Sequence, residues 1–155
     1  MTSGKKIAAA ALCAALCLGV SAQTSNAVTA EEVRAFVEHA VDHFKEVGKE
    51  RAFQDFNNAE GEFNRGELYI FCKANNGVMV AQAANPKLVG HNFGSMLDPD
   101  GKSPDKEQDR VAKAYGQGWA TYRWINPVSK KVQMKSVWVV QVDDDTVCGS
   151  GYYHD

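Results

Sequence analysis

Val132-Gln133-Met134-Lys135-Ser136-Val137-Trp138-Val139-Val140-Gln141-Val142 has the alternation of a strand with no wet side. In an extended chain successive side chains point to opposite faces. Met134, Trp138, Val140 and Val142 therefore share one face, and Val137 and Val139 share the other with Lys135. Apolar residues on both faces mean a sheet sandwiched between two further layers, because an uncovered face reads polar.

Working outward from that strand, Asn126-Pro127-Val128 and Asp143-Asp144-Asp145 are turns, with strands expected over Trp119 to Ile125 and Thr146 to Tyr153 on their far sides. Upstream, Glu67 to Lys73 and Val78 to Gln82 flank the turn Asn75-Asn76-Gly77 and read as a hairpin. Between hairpin and meander lies a crossover of about 35 residues, Ala83 to Gly118, broken by Asn85-Pro86, Gly90, Pro99, Gly101 and Pro104. Loops of that length are unusual in a small domain unless they serve a function. Within it, Ser103 followed by Pro104 starts one helix, expected over Pro104 to Tyr115.

A longer helix precedes the sheet. Thr29-Ala30-Glu31-Glu32 has the form of a capping box, and Val33, Phe36, Val37, Ala40, Val41, Phe44 and Val47 then recur at threes and fours. Gly48 interrupts this helix, and Ala52, Phe53 and Phe56 suggest a short second one ending near Asn57-Asn58. The expected architecture is α+β, with the long helix on one face of an antiparallel sheet of about five strands and the crossover on the other.

The 155 residues suffice for one domain, and 17 basic against 19 acidic residues exclude a polycationic nucleic-acid binder. The first 22 residues read as a secretory signal: a basic start at Lys5-Lys6, an apolar run from Ile7 to Val20, and small residues before cleavage after Ala22, or alternatively Ala27. That run is short for a membrane span of about 20 residues. Residues 23–155 then form a single mature domain, expected in the periplasm of a bacterium and not inserted in the membrane. Cleavage leaves 15 basic and 19 acidic residues, a net charge of −4, so neither nucleic acid nor an anionic membrane is an expected partner.

Cys13 and Cys17 leave with the signal, so Cys72 and Cys148 remain in an oxidising compartment. A disulfide is the leading reading, and two small buried side chains on neighbouring strands are the alternative. No Cys-x-x-Cys spacing supports a redox centre.

Gly48-Lys49-Glu50-Arg51-Ala52-Phe53-Gln54-Asp55-Phe56-Asn57, Gly66-Glu67-Leu68-Tyr69-Ile70-Phe71, Asn85-Pro86-Lys87-Leu88-Val89-Gly90 and Leu97-Asp98-Pro99-Asp100-Gly101-Lys102 follow one another along the chain. Gly118-Trp119-Ala120-Thr121-Tyr122-Arg123-Trp124, Asn126-Pro127, Lys135 and Gly149-Ser150-Gly151-Tyr152-Tyr153 come after them. In the order and spacing of these elements the chain, over nearly all of its mature length, resembles the single Cache family of extracytoplasmic sensor domains, which have a PAS-like fold. The resemblance implies a small ligand, an organic acid, amino acid, amine or urea, held between sheet and crossover in the service of a chemotaxis receptor or histidine kinase. The chain ends at Asp155 without a following membrane helix or signalling domain, so the expectation is a free-standing exported module acting through a separate membrane receptor or sensor kinase.

The candidate ligand-binding residues are Tyr69, Phe71, Asp98, Trp119, Tyr122, Trp124 and Lys135. Aromatic walls around one cation suit a small carboxylate. Core packing competes for the aromatics, a solvated strand position for Lys135, and a turn-capping role for Asp98. Asp98-x-Asp100 lacks the glycine and glutamate of a calcium-binding EF-hand loop, and Asp143-Asp144-Asp145 reads as an exposed turn. His39 and His43, one helical turn apart, read as a solvated flank beside Asp42 and Glu46 rather than a metal pair. No metal site, cofactor or catalytic motif is expected, and the enzyme reading is set aside. The alternative function is a structural domain with a self-filled pocket, docking on an exported partner through its long helix.

Overall fold

The computed structural model describes residues 27–155; the export signal expected over residues 1–22 lies outside them. Helix α1 (Ala30–Val47) opens with the capping box: the Glu32 amide donates to Thr29 Oγ1 at 3.2 Å, and the Thr29 amide donates to Glu32 Oε2 at 2.8 Å. These two bonds satisfy donors that a helix start leaves without partners. Val33, Phe36, Val37, Ala40 and Phe44 form its buried stripe. Gly48 takes φ +83°, a left-handed value that side chains resist, and turns the chain into α2 (Lys49–Phe56).

Two short strands, β1 (Asn64–Arg65) and β2 (Leu68–Tyr69), pair as a small ribbon. The main sheet follows: β3 (Phe71–Ala74), β4 (Met79–Gln82), β5 (Gln117–Ile125), β6 (Val132–Asp143) and β7 (Thr146–His154), in the order β4-β3-β7-β6-β5, all antiparallel. Hairpin and meander are thus joined where β3 meets β7. The strand expected over residues 67–73 is broken at Ile70, whose amide turns aside to donate to the Phe63 carbonyl at 3.0 Å. Helix α3 (Pro104–Tyr115) starts at Ser103, whose Oγ accepts from the Lys106 amide, and ends at Gly116 with φ +73°. The crossover also contains two 3-10 turns, Pro86–Leu88 and Phe93–Ser95, that periodicity does not reveal.

The sheet is covered on both faces. On the first, α1, α2 and Phe63 pack on Leu68, Ile70, Cys72, Ala81 and Cys148, with Trp119, Trp138 and Tyr152 at the margin. On the second, Phe93, Val111 and Ala112 of the crossover pack on Tyr69, Phe71, Ala120, Tyr122, Val137 and Val139. An ion pair pins α3 to this second face: the fully buried Lys73 donates from Nζ to the half-buried Asp105 at 2.6 Å and to the half-buried Asp109. Cys72 and Cys148 are register partners on β3 and β7, their Cα atoms 4.1 Å apart and their sulfurs bonded.

His39 stacks on Phe63 and His43 lies tilted against it, and they pair with Glu62 at 3.1 Å and Asp55 at 2.9 Å, respectively. His39, Asp42 and Glu46 are exposed, as expected of a solvated flank, and His43 is half-buried. Among the described residues no helix is long and apolar enough to cross a membrane.

Candidate ligand-binding site

Strand parity builds the site. Tyr69, Phe71 and Lys73 alternate onto the second face from β2 and β3, Ala120, Tyr122 and Trp124 from β5, and Lys135, Val137 and Val139 from β6. Lys135 is the register partner of both Tyr122 and Tyr153. Gly149, the register partner of Phe71 and Val139, leaves β7 bare beside them, since a Cβ on it would stand 2.6 Å from the Trp138 carbonyl oxygen and 3.1 Å from Cζ of Phe71.

Between this face and the crossover lies a pocket of about 500 Å³. Leu88, Met96, Leu97, Asp98 and Pro99 line it from the crossover, and Arg123, Trp124, Ile125, Lys130 and Val132 from the β5–β6 hairpin. A smaller inner cavity of about 10 Å³ continues below it, lined by Phe71, Met79, Phe93, Gln108, Tyr122 and Lys135. Tyr69, Gln82 and Trp124 border both. Space of that inner volume matches a single water.

Lys135 is 1% exposed. Its Nζ donates to the Tyr69 hydroxyl at 2.7 Å and lies 4.1, 5.6 and 5.0 Å from the ring centres of Tyr69, Phe71 and Tyr153. Among the described residues no carboxylate pairs with it, in contrast to Lys73, which has two. Ring faces attract an ammonium but replace only part of its lost hydration. Burial accordingly pulls the Lys135 pKa below the ordinary lysine value, with the Tyr69 hydroxyl opposing the shift.

The tyrosines form the rest of the polar lining. The Tyr69 and Tyr153 hydroxyls are 3.1 Å apart, and Tyr153 donates onward to the Ile125 carbonyl at 3.1 Å. Tyr122 accepts from Gln108 Nε2 at 2.8 Å. Burial raises the pKa of Tyr122 and of Tyr153, so both remain neutral donors across physiological pH.

Six of the seven residues expected to bind ligand border these cavities. Trp119 does not. One residue out of phase with Ala120, it faces α1 instead, with ring centres 5.3 Å from Trp138 and 5.9 Å from Tyr152. Its expected role as a pocket wall is corrected by strand alternation itself. Asp98 lines the outer pocket, but its carboxylate is occupied: Oδ1 accepts from the Asp100 and Lys102 amides at 2.9 and 2.8 Å, and Oδ2 from the Arg123 amide at 3.0 Å. It caps the turn and ties it to β5. Burial alone would raise its pKa; the three amides outweigh that and hold it below the usual aspartate value.

Gln82, Gln108 and Arg123 were missed as candidates. Arg123 reaches the pocket rim while its Nε donates to Asp100 at 2.9 Å. Gln108 carried a readable signal, since it precedes Val111 and Ala112 by three and four residues on the buried stripe of α3. Gln82 carried none, because the bulge between Cys72 and Lys73 in the β3–β4 pairing sets its direction.

The family model described as Cache domain matches residues 28–155. The chain belongs to the Cache domain family. Cache domains are sensory ligand-binding domains. Among solved structures, the chain is similar to one reported under carboxylic acid recognition by a Cache chemosensory domain, at 23% identity and a TM-score of 0.68, covering 81% of this chain and 92% of that one. A methyl-accepting chemotaxis protein from Vibrio parahaemolyticus matches at 21% identity and TM-score 0.68, covering 81% and 88%. A periplasmic sensor domain of a chemotaxis protein matches at 26% and 0.61, covering 81% and 90%. These likenesses bear out the PAS-like arrangement of a helix packed on a five-stranded antiparallel sheet. No curated protein sequence matches the chain.

Proposed function

We propose that this Cache domain is an exported sensor module that binds a small organic acid, with Lys135 as the carboxylate's counter-charge. One observation carries this reading: a lysine buried in an aromatic cage, beside a pocket, without a carboxylate partner among the described residues. A ligand carboxylate supplies the missing charge, and Tyr69 and Tyr122 are hydroxyls placed to orient it. The recognition of carboxylic acids and the chemotaxis setting named for similar structures support the same reading, as does the secretory pattern of residues 1–22. The occupied state is then read by a separate membrane receptor or sensor kinase.

The test is a thermal-shift and calorimetric screen of residues 23–155 against small carboxylates, amino acids and amines. A carboxylate is expected to raise the melting temperature, and Lys135→Met to weaken its binding about 30-fold or more, corresponding to roughly 2 kcal/mol for a lost charge-assisted hydrogen bond. Equal binding by Lys135→Met, or a response confined to amines, would overturn the reading.

A further inference from the structure

Two polar groups under the crossover have no partner in the protein. The carboxamide oxygens of Gln82 and Gln108 are buried without a hydrogen-bond partner among the described residues, in residues 3% and 0% exposed. Gln82 comes from the edge strand β4 and Gln108 from α3, and both line the inner cavity of about 10 Å³. A buried acceptor left unmatched costs free energy, and native folds match nearly all of them. The Gln108 Nε2 already donates to Tyr122 at 2.8 Å, which fixes the oxygen as the unmatched end of that carboxamide.

The size and lining of the cavity identify the missing donor. Its volume is about that of one water and excludes any larger group. Two acceptor oxygens exclude an anion. A cation would stand against the Lys135 ammonium, and among the described residues the cavity is lined by no carboxylate to offset that repulsion. What remains is a neutral molecule that donates twice and also accepts. Water does both, and Lys135 is placed to donate to it, since only one of its three ammonium protons is taken by the Tyr69 hydroxyl.

We propose that the inner cavity is a specific site for one water molecule, which donates to Gln82 Oε1 and Gln108 Oε1 and accepts from Lys135 Nζ. Three hydrogen bonds are the usual number for a water held inside a protein. The molecule joins α3 to β4 and β6, strands that the sheet order separates by β3 and β7. Helix α3 is thereby tied to the second buried lysine through solvent, as it is tied to Lys73 by charge. The assignment is independent of the carboxylate reading: the water fills the inner cavity whatever occupies the outer pocket, and it leaves Lys135 one proton for that occupant.

The test is a high-resolution crystal structure of residues 23–155, joined to oxygen-17 relaxation dispersion in solution. One density peak is expected in the inner cavity, about 2.7–3.2 Å from both carboxamide oxygens and from Lys135 Nζ, with a slowly exchanging water in the relaxation profile. Gln82→Leu/Gln108→Leu removes both acceptors while keeping apolar bulk, and should lose the peak and the slow component. The unmodified domain alone decides the question if that variant does not fold. A cavity without density, or carboxamides rotated to bond one another, would overturn the site. So would a peak with contacts of about 2.3–2.6 Å, the distances of a metal cation. Both signals surviving in the double variant would overturn the assignment of the glutamines as its acceptors.

Discussion

Two lysines on one face of one sheet show what burial does to a single charge. Lys73 keeps two aspartates, whereas Lys135 has only a hydroxyl and three rings. The consequence for pH follows from the lowered Lys135 pKa, whose largest cause is burial. An unfolded lysine titrates near 10.5 and the folded one below it. A carboxylate ligand pairs with the protonated form, so above the folded value binding must take up a proton, and affinity falls as pH rises. Calorimetry from pH 7 to 10 should show this loss together with proton uptake, and Lys135→Met should abolish the pH dependence that remains after the ligand's own titration is subtracted. Affinity that is flat or rising with pH would contradict the pairing.

At the scale of elements, α3 is both the ceiling of the cavity, through Gln108, and the element held by the Lys73 ion pair. Removing one partner from a buried ion network leaves like charges facing one another. Lys73→Met is expected to destabilise the domain by about 3–5 kcal/mol in urea unfolding, with faster amide exchange in α3 than in α1. A loss shared evenly by the two helices would argue against the anchoring role.

Most elements were legible because their signals are local. Thr29 and Glu32 mark one helix start, Ser103-Pro104 another, and Gly48 a break whose φ of +83° explains its residue type. The interruption at Ile70 was not legible, since it depends on a carbonyl seven residues away that only the folded chain presents. The 3-10 turns of the crossover are too short to show a period, and proline and glycine there indicate only where regular structure stops.

For the molecule as a whole, β3 and β7 lie side by side although 76 residues separate Cys72 from Cys148. Alternation within a strand says which face a residue takes and nothing about which strand is its neighbour, so the order β4-β3-β7-β6-β5 was hidden, with the cysteine pair as its one trace. The site divides in the same way. Tyr122, Trp124 and Lys135 were legible from parity on adjoining strands, whereas Gln82 joins them only through the pairing of distant segments.

Closing a loop of this size by a disulfide is expected to stabilise by about 2–5 kcal/mol. Residues 23–155 produced in an oxidising compartment should therefore show no free thiol, and Cys72→Ala/Cys148→Ala should lower the melting temperature by roughly 4–20 °C, allowing about 2–4 °C per kcal/mol. Two reactive thiols in protein isolated from the periplasm would refute the bond.

That bond also assigns the parts of the domain their mechanical roles. Tyr69, Phe71 and Gln82 come from the hairpin side of the β3–β7 seam, and Tyr122, Trp124 and Lys135 from the meander side. A covalent rivet through the seam fixes the span between the two groups. Traffic of ligand is then left to the crossover, which backbone hydrogen bonds at Gly90, His91 and Phe93 tie to Met79 and Gly77 at the β4 edge, so admission and release are matters of shifting a cover held along that edge and never of parting the floor.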